Sequence, residues 1–202
     1  MVRTKPGADI AGGGRNKWLV LKRSKIHGRG VYARRDIPKG TRLIEYTGEH
    51  INNAEADRRY DDDAMPRHHT FLFILNSRTC IDAAVGGNIS RFINHSCDPN
   101  CVAWIEGQHI WIDALRDIKK GEELAYDYEY DFLPAYTVED LDFYRCECGS
   151  EKCRGTIVDV PKRKRHLLRE LRHRRERRAA RKGRARQGAR RATSLNGNRD
   201  AR

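Results

Sequence analysis

The sequence predicts a mainly β protein of many short strands with few helices, ending in a basic helical or disordered tail. Three observations predict it. From Trp18 to about Tyr130 the apolar residues come in short runs separated by Gly, Pro, Asn and Asp, the pattern of brief strands joined by turns. Only one stretch in that region has helical character. Beyond Pro161 the composition turns abruptly to arginine and lysine.

Residues 1–16, with Gly12-Gly13-Gly14, read as a flexible leader. Strands are expected at Trp18–Leu21, Gly30–Ala33, Arg42–Tyr46, Thr70–Leu75, Val102–Ile105, Ile110–Ile112 and Glu123–Tyr126. A helix is expected between Asn53 and Tyr60, with Asn52 or Asn53 as N-cap and Glu55 and Asp57 in its first turn. Asp36-Ile37-Pro38-Lys39-Gly40-Thr41-Arg42-Leu43 is echoed by Asp117-Ile118-Lys119-Lys120-Gly121-Glu122-Glu123-Leu124. Each copy reads as a turn, glycine relieving a positive φ, that delivers the chain into a strand. Pro161 suits the first position of a helix, and Leu167, Leu168 and Leu171 make an apolar patch at helical spacing. The patch ends at Arg174, Arg175 and Arg178, so one turn is expected to touch the body, with disorder beyond Gly183.

The 202-residue chain carries a net charge of +13 that is not spread evenly. Residues 161–202 hold 18 Lys and Arg against 3 Asp and Glu, while residues 1–160 are near neutral. A basic segment of this kind suits nucleic acid, with an affinity that falls steeply as salt rises. No stretch approaches the ~20 apolar residues of a membrane helix, and Met1 to Gly14 lacks the apolar core of a secretory signal. The six cysteines therefore read as metal ligands in a reducing, intracellular setting rather than as a disulfide framework.

Cys146, Cys148 and Cys153 are spaced to reach one tetrahedral zinc ion. Three thiolates need a fourth ligand, and Cys97, Cys101, Cys80 and His95 are the candidates. Cys97 and Cys101 sit in a turn bearing Pro and Asn, a better platform than the strand-like segment around Cys80. A closed four-sulfur site is structural, with no open position for a substrate. Elsewhere, Asn88 and Arg91-Phe92-Ile93-Asn94-His95-Ser96 concentrate polar groups beside an aromatic ring, and Tyr46, Phe71, Tyr126 and Tyr128 supply further aromatics. His27-Gly28-Arg29-Gly30 opens a strand but lacks the third glycine and the following helix of a dinucleotide-binding fingerprint.

Taken in order, these pieces resemble the SET-domain family of protein lysine methyltransferases with a cysteine-rich post-SET segment. The matching residues are His27-Gly28-Arg29-Gly30-Val31, Ile44-Glu45-Tyr46-Thr47-Gly48-Glu49, Ile81-Asp82-Ala83, Gly87 through Cys97, Gly121-Glu122-Glu123-Leu124, Tyr126-Asp127-Tyr128 and Cys146-x-Cys148-x4-Cys153-Arg154-Gly155. The resemblance covers about residues 17–160. It divides the chain into a leader (1–16), a SET domain (17–133), a post-SET zinc segment (134–160) and a basic tail (161–202).

What the resemblance implies is specific. The fold is the β-clip of small curled sheets, in which the Asn94-His95 segment threads under a loop as a pseudoknot. The methyl donor is S-adenosylmethionine, contacted by His27, Gly28, Arg29 and Gly30, by Phe71, and by Arg91, Phe92, Asn94 and His95. Cys97 becomes the fourth zinc ligand with Cys146, Cys148 and Cys153, and Cys101 is spare. Tyr46, Tyr126 and Tyr128 line the lysine channel, with Tyr128 the main catalytic tyrosine. Tyr126 stands where the family carries Phe or Tyr, and its hydroxyl restricts products to mono- and dimethyllysine. Partners are a lysine-bearing protein, histone or otherwise basic, and nucleic acid through residues 162–202. The runner-up is a nonenzymatic chromatin- or DNA-binding module on the same scaffold.

Three departures bear on substrate and source. No cysteine-rich module precedes residue 17. The variable stretch Asp61–His69, acidic at Asp61-Asp62-Asp63, reads as a solvated loop that leaves substrate identity open. Arg3-Thr4-Lys5 resembles the opening of a histone tail and makes Lys5 a candidate automethylation site. Arginine and alanine richness suits a bacterial or other compact genome, with cytoplasm or nucleoid as the compartment; in a eukaryote, Lys162-Arg163-Lys164-Arg165 suits nuclear import.

Overall fold

The computed structural model describes residues 16–61, 64–66 and 68–196, with side chains through residue 185. Most of the leader, Lys5, Asp62 and Asp63 and residues 197–202 lie outside the described residues. Twelve short strands and three α-helices follow one another as β1 (Leu19–Arg23), β2 (Arg29–Ala33), β3 (Arg42–Glu45), β4 (Glu49–Asn52), α1 (Asn53–Arg59), β5 (Leu72–Ile74), β6 (Thr79–Asp82), β7 (Asn94–His95), β8 (Cys101–Glu106), β9 (His109–Ala114), β10 (Ala125–Tyr126), β11 (Tyr130–Asp131), α2 (Val138–Phe143), β12 (Val158–Asp159) and α3 (Arg165–Asn196). They form small separate sheets: β1-β2, β3-β9-β8 and β4-β6-β5 antiparallel, and β7-β10 and β11-β12 parallel. The mainly β expectation holds. β4, β7, β11 and β12 are additional strands, too short or too polar to show a period of their own.

Local chemistry explains the landmarks. Asn52 caps α1 by accepting from the Glu55 N–H at 2.9 Å, and Glu55 in the first turn pairs with Arg58 and Arg59. The two echoed turns pair with each other. Ile37 and Ile118 exchange backbone hydrogen bonds of 2.8 and 2.9 Å. Asp36 accepts from the Lys120 N–H, and Asp117 accepts from the Lys39 N–H, both at 2.8 Å. Gly40 and Gly121 stand at φ +78° and +86°, the left-handed region each turn requires. The echo is thus a quasi-symmetric clasp that starts β3 and β10 from one point.

Three apolar clusters result among the described residues, the least of them Ile51, Ala56 and Cys80 with Leu72 against it. The largest centres on Val31, Ile37, Leu43, Ile81, Ile93, Ile110, Ile112, Ile118 and Leu124, from β2, β3, β6 and β9 and the connections around them. The second gathers Val138, Leu141, Val158, Val160 and Leu171, with Tyr130, Phe132, Tyr144, Leu167 and Leu168 against it. It draws residues from both sides of Pro161.

The C-terminal helix corrects two expectations. Disorder was expected beyond Gly183, yet the α3 backbone runs unbroken to Asn196. Contact was expected to end with the leucines, yet Arg174 pairs with Glu139, and Arg175 and Arg178 pair with Asp142 at 2.9 and 2.8 Å. The missed signal was the pair of carboxylates Glu139 and Asp142 on α2, which supplies partners to a helix that looked uniformly repulsive. Capped by a reciprocal Thr137–Asp140 box, α2 holds those carboxylates in place.

Candidate active site

Asn94 and His95 in β7 run beside β10, with Ala125 opposite Asn94 and Tyr126 opposite His95. On its other side Asn94 reaches the turn before β2. Its Nδ2 lies 2.9 Å from the Arg29 carbonyl oxygen, 3.1 Å from Ser24 Oγ and 3.0 Å from Glu123 Oε1. The His27 carbonyl is 3.4 Å away. The Glu123 carboxylate also accepts from the Ser24 hydroxyl at 2.6 Å and the Tyr32 hydroxyl at 2.7 Å. Burial and that carboxylate push the Tyr32 hydroxyl up to about 12, so it stays a donor. Gly30 lies under Glu123: a Cβ there would stand 2.3 Å from Glu123 Oε1.

Beside this polar knot lies a cationic, aromatic cluster. The Arg29 and Arg91 guanidinium groups sit 4.9 and 4.8 Å from the Phe92 ring, and Arg91 is 5.5 Å from the Phe71 ring. Arg91 Nη1 donates to the Ala83 carbonyl at 2.8 Å, while its buried Nε has no partner among the described residues. His27 contacts His69, and His69 contacts Phe71, at ring distances of 4.9 and 5.3 Å.

A run of rings continues from this cluster. Tyr46 packs on Phe73 at 5.3 Å, Phe73 stacks on Tyr126 at 6.0 Å, and Tyr126 lies 4.9 Å from Tyr128. The Tyr46 hydroxyl donates to the Phe71 carbonyl at 2.7 Å, and that of Tyr128 donates to the Ile93 carbonyl at 3.0 Å. The Tyr126 hydroxyl makes no hydrogen bond among the described residues. Burial, and then the neighbouring tyrosines, push all three hydroxyls above the ordinary tyrosine value. They remain neutral donors at physiological pH.

His95 joins this cluster to the cysteines. The Tyr128 N–H donates to His95 Nδ1 at 3.2 Å, which assigns the ring proton to Nε2. Nε2 faces Cys97 Sγ at 3.4 Å. The sulfurs of Cys97, Cys146, Cys148 and Cys153 all lie within 4.8 Å of one another. Cys146 is 3.7 Å from both Cys97 and Cys153, close to the edge of about 3.8 Å that a tetrahedral zinc–thiolate site has and far beyond a disulfide bond. Backbone N–H groups of Cys148, Arg154 and Gly155 point at Cys146, Cys97 and Cys153 from 3.3 to 3.4 Å, the outer support that thiolate ligands need. Hydrogen bonding between Cys146 and Cys97 lowers the Cys97 thiol and raises that of Cys146. The four residues fit a zinc ion in donor type, number and spacing. Cys80 and Cys101 are buried elsewhere, and burial holds Cys101 as a neutral thiol, pushed up to about 12.

Three contributors were not read from the sequence. Glu123 was read as the start of a strand and as part of a matching motif, with no role assigned, yet it orients Asn94. Asp127 lies between the two tyrosines and receives both guanidinium nitrogens of Arg154 at 2.6 and 3.0 Å. Burial would raise its carboxyl, but Arg154 outweighs burial and holds it below the ordinary value. His68 contacts Tyr130, through a hydrogen bond of 2.7 Å. Charge complementarity at Asp127–Arg154 leaves a trace in sequence; the other two depend on chain crossings that leave none.

The SET-domain sequence pattern matches residues 28–129. Histone-lysine N-methyltransferase trithorax of Drosophila virilis is 42% identical over 144 residues, covering 68% of this chain and 4% of that protein. Histone-lysine N-methyltransferase 2D of Homo sapiens is 40% identical over 147 residues, covering 69% of this chain and 2% of that protein. Histone-lysine N-methyltransferase 2B of Homo sapiens is 42% identical over 140 residues, 65% of this chain and 5% of that protein. The chain thus spans a small fraction of these relatives' length. Among the described residues no helix is long and apolar enough to cross a membrane. A matched span covering half the chain, and carrying the whole β7–β10 constellation inside it, has one reading: the chain belongs to the SET-domain family.

Proposed function

We propose that the chain is an S-adenosylmethionine-dependent protein-lysine N-methyltransferase that acts on a histone or another basic protein. The observation that carries the proposal is the joining of two environments at Asn94–His95. A cationic, aromatic cluster (His27 to Gly30, Phe71, Arg91, Phe92) lies on one side, and a tyrosine cluster (Tyr46, Tyr126, Tyr128) on the other.

The donor supplies a methyl group activated on a sulfonium. That cationic cluster suits its amino-acid end, because two guanidinium groups and the partnerless Arg91 Nε match a carboxylate. Asn94, held by Glu123, keeps the Arg29 turn beside β7 and so fixes the donor's floor. The nucleophile must be a neutral lysine amine, although free lysine has a pKa of about 10.4. The tyrosine cluster desolvates the ammonium and lowers that value. Tyr128, anchored by its hydroxyl on Ile93 and by its N–H on His95, orients amine and methyl for in-line displacement, where alignment supplies most of the acceleration. Zinc on Cys97, Cys146, Cys148 and Cys153 supplies structure rather than reactivity, a four-sulfur site having no open position.

Calorimetric titration of S-adenosylmethionine into the full chain tests the donor half. Binding is expected in the parent and about tenfold or more weaker in Asn94→Ala, which loses several hydrogen bonds at once. Equal binding by both proteins removes the assignment.

The unbonded Tyr126 hydroxyl leaves room for a water that crowds the amine, so mono- and dimethylation are the expected products. Tyr126→Phe is expected to shift the product distribution toward trimethyllysine; unchanged ratios by mass spectrometry contradict this role. Activity should also rise with pH. Because the amine must lose its proton, kcat/KM is expected to climb about tenfold per unit from pH 7 toward 9. Tyr126 and Tyr128 stay protonated throughout, their folded values lying above the ordinary one. A falling limb below pH 9 that vanishes in Tyr128→Phe would show instead that the Tyr128 hydroxyl ionises in that range.

The second partner is nucleic acid, through residues 162–202. α3 docks by Leu171 and by Arg174, Arg175 and Arg178, while Arg169, Arg172, Arg177, Arg181, Lys182 and Arg184 are exposed. Like charges at i,i+4, such as Arg177 and Arg181, repel one another, and phosphates relieve that repulsion. The compartment that follows is one holding DNA, nucleoid or nucleus. Each phosphate-neutralising side chain adds about 0.9 to the slope of log affinity against log salt. Removing residues 180–202 is therefore expected to flatten that slope for duplex DNA; an unchanged slope ends the proposal.

A further inference from the structure

Tyr128 sits in the short link, residues 127–129, that joins β10 to β11. That link turns through Glu129 at φ +53°, and no other non-glycine residue among the described residues has a positive φ. A side chain rarely adopts this conformation unless its surroundings impose it. Here the Asp127 side chain imposes it. Its Oδ1 accepts the Glu129 N–H at 3.1 Å, closing an Asx turn around Tyr128.

Asp127 is itself held from the cysteine segment. Arg154 Nη1 donates to Asp127 Oδ2 at 2.6 Å, and Nη2 donates to Oδ1 at 3.0 Å. Two parallel bonds fix the plane of the carboxylate as one bond would not. The two side chains are only 22% and 24% exposed, so water competes little for the pair. Nη2 also reaches the Ile157 carbonyl at 3.4 Å. The backbone N–H of Arg154 points at Cys97 Sγ from 3.3 Å. One residue thus touches the sulfur cluster with its backbone and the tyrosine turn with its side chain. Across the turn, His95 Nδ1 accepts the Tyr128 N–H at 3.2 Å and lies 3.5 Å from Asp127 Oδ1.

We propose that Asp127 and Arg154 are positioning residues for Tyr128: their ion pair holds Glu129 in its left-handed turn and so fixes the direction in which the tyrosine projects. The inference rests on the methyltransferase reading above. It goes beyond that reading in tying the aim of the tyrosine to a charged pair and a strained turn rather than to the metal alone. Without Arg154 the carboxylate is free to rotate, and the Glu129 N–H loses its acceptor. The turn then relaxes to a negative φ and carries Tyr128 with it. Donor and histone still bind, but the alignment that displacement needs is lost.

Kinetics with core histones at saturating S-adenosylmethionine, beside calorimetric donor binding and zinc content, tests it. Asp127→Ala and Arg154→Ala are each expected to lower kcat about tenfold, the cost of one unsupported left-handed residue. Donor affinity, the histone KM and zinc content stay within about twofold, and the double variant is no worse than either single one. Glycine takes a positive φ freely, so adding Glu129→Gly to Arg154→Ala is expected to bring kcat back to within about threefold of the parent. Arg154→Lys keeps the charge without the fork; it replaces Arg154→Ala if that variant does not fold, and the same outcomes apply. An unchanged kcat in the Arg154 variant overturns the inference. So does a loss that follows zinc content or donor affinity, or one that Glu129→Gly does not lift, since each marks a merely structural role. A parent that methylates no histone removes the methyltransferase reading and this inference with it, whereas an active parent with parent-like variants removes the inference alone.

Discussion

Stripping the metal with a chelator under reducing conditions is expected to abolish activity by loosening the donor site as well as the cysteine segment. The reason lies in one run of contacts: Cys97 Sγ faces His95 Nε2 at 3.4 Å, and His95 Nδ1 accepts the Tyr128 N–H at 3.2 Å. Without a cation, four sulfurs within 4.8 Å of one another cannot all carry charge. Cys97 would relax, the His95 ring would lose its orienting partner, and the Tyr128 backbone would lose its anchor. Donor affinity is therefore expected to fall in step with zinc content, by about a hundredfold at full removal, and to return on adding zinc. Full donor affinity in a zinc-free, folded protein would separate the two sites and contradict the coupling.

Tyr128→Phe is expected to be the most damaging conservative change outside the metal site. It removes one hydroxyl and keeps the ring, so the packing against Tyr126 and His95 survives. The Ile93 carbonyl loses the hydroxyl's hydrogen bond of 3.0 Å, and the oxygen proposed to orient the amine is gone. Displacement at a methyl group is intolerant of misalignment, and a loss of about a hundredfold in kcat is expected. Donor affinity should hold, because the proposed donor residues lie beyond Asn94. Parent-like turnover in single-turnover assays would transfer the catalytic role to Tyr126 or Tyr46.

The turn-bounded strands were legible because they alternate or cluster apolar residues between glycine and proline. The motifs were legible because Asn94, His95, Tyr126 and Tyr128 stand in an order and spacing that resemble one family. The strands β7, β11 and β12 were not, since two residues carry no periodicity. Nor was the length of α3: its arginines look repulsive until Glu139 and Asp142 are known to lie opposite them. Glu123 escaped for a related reason. Its task is to hold Asn94 from 29 residues away, and only the folded chain brings them together.

The central claim is that this chain transfers methyl groups to lysine at the Asn94–Tyr128 site. The most direct measurement is mass mapping of core histones after incubation with the full chain and S-adenosylmethionine, with Tyr128→Phe in parallel. The account predicts additions of one and two methyl groups on lysine side chains by the parent, and almost none by the variant. No modified lysine with the parent, or equal modification by both proteins, would contradict it.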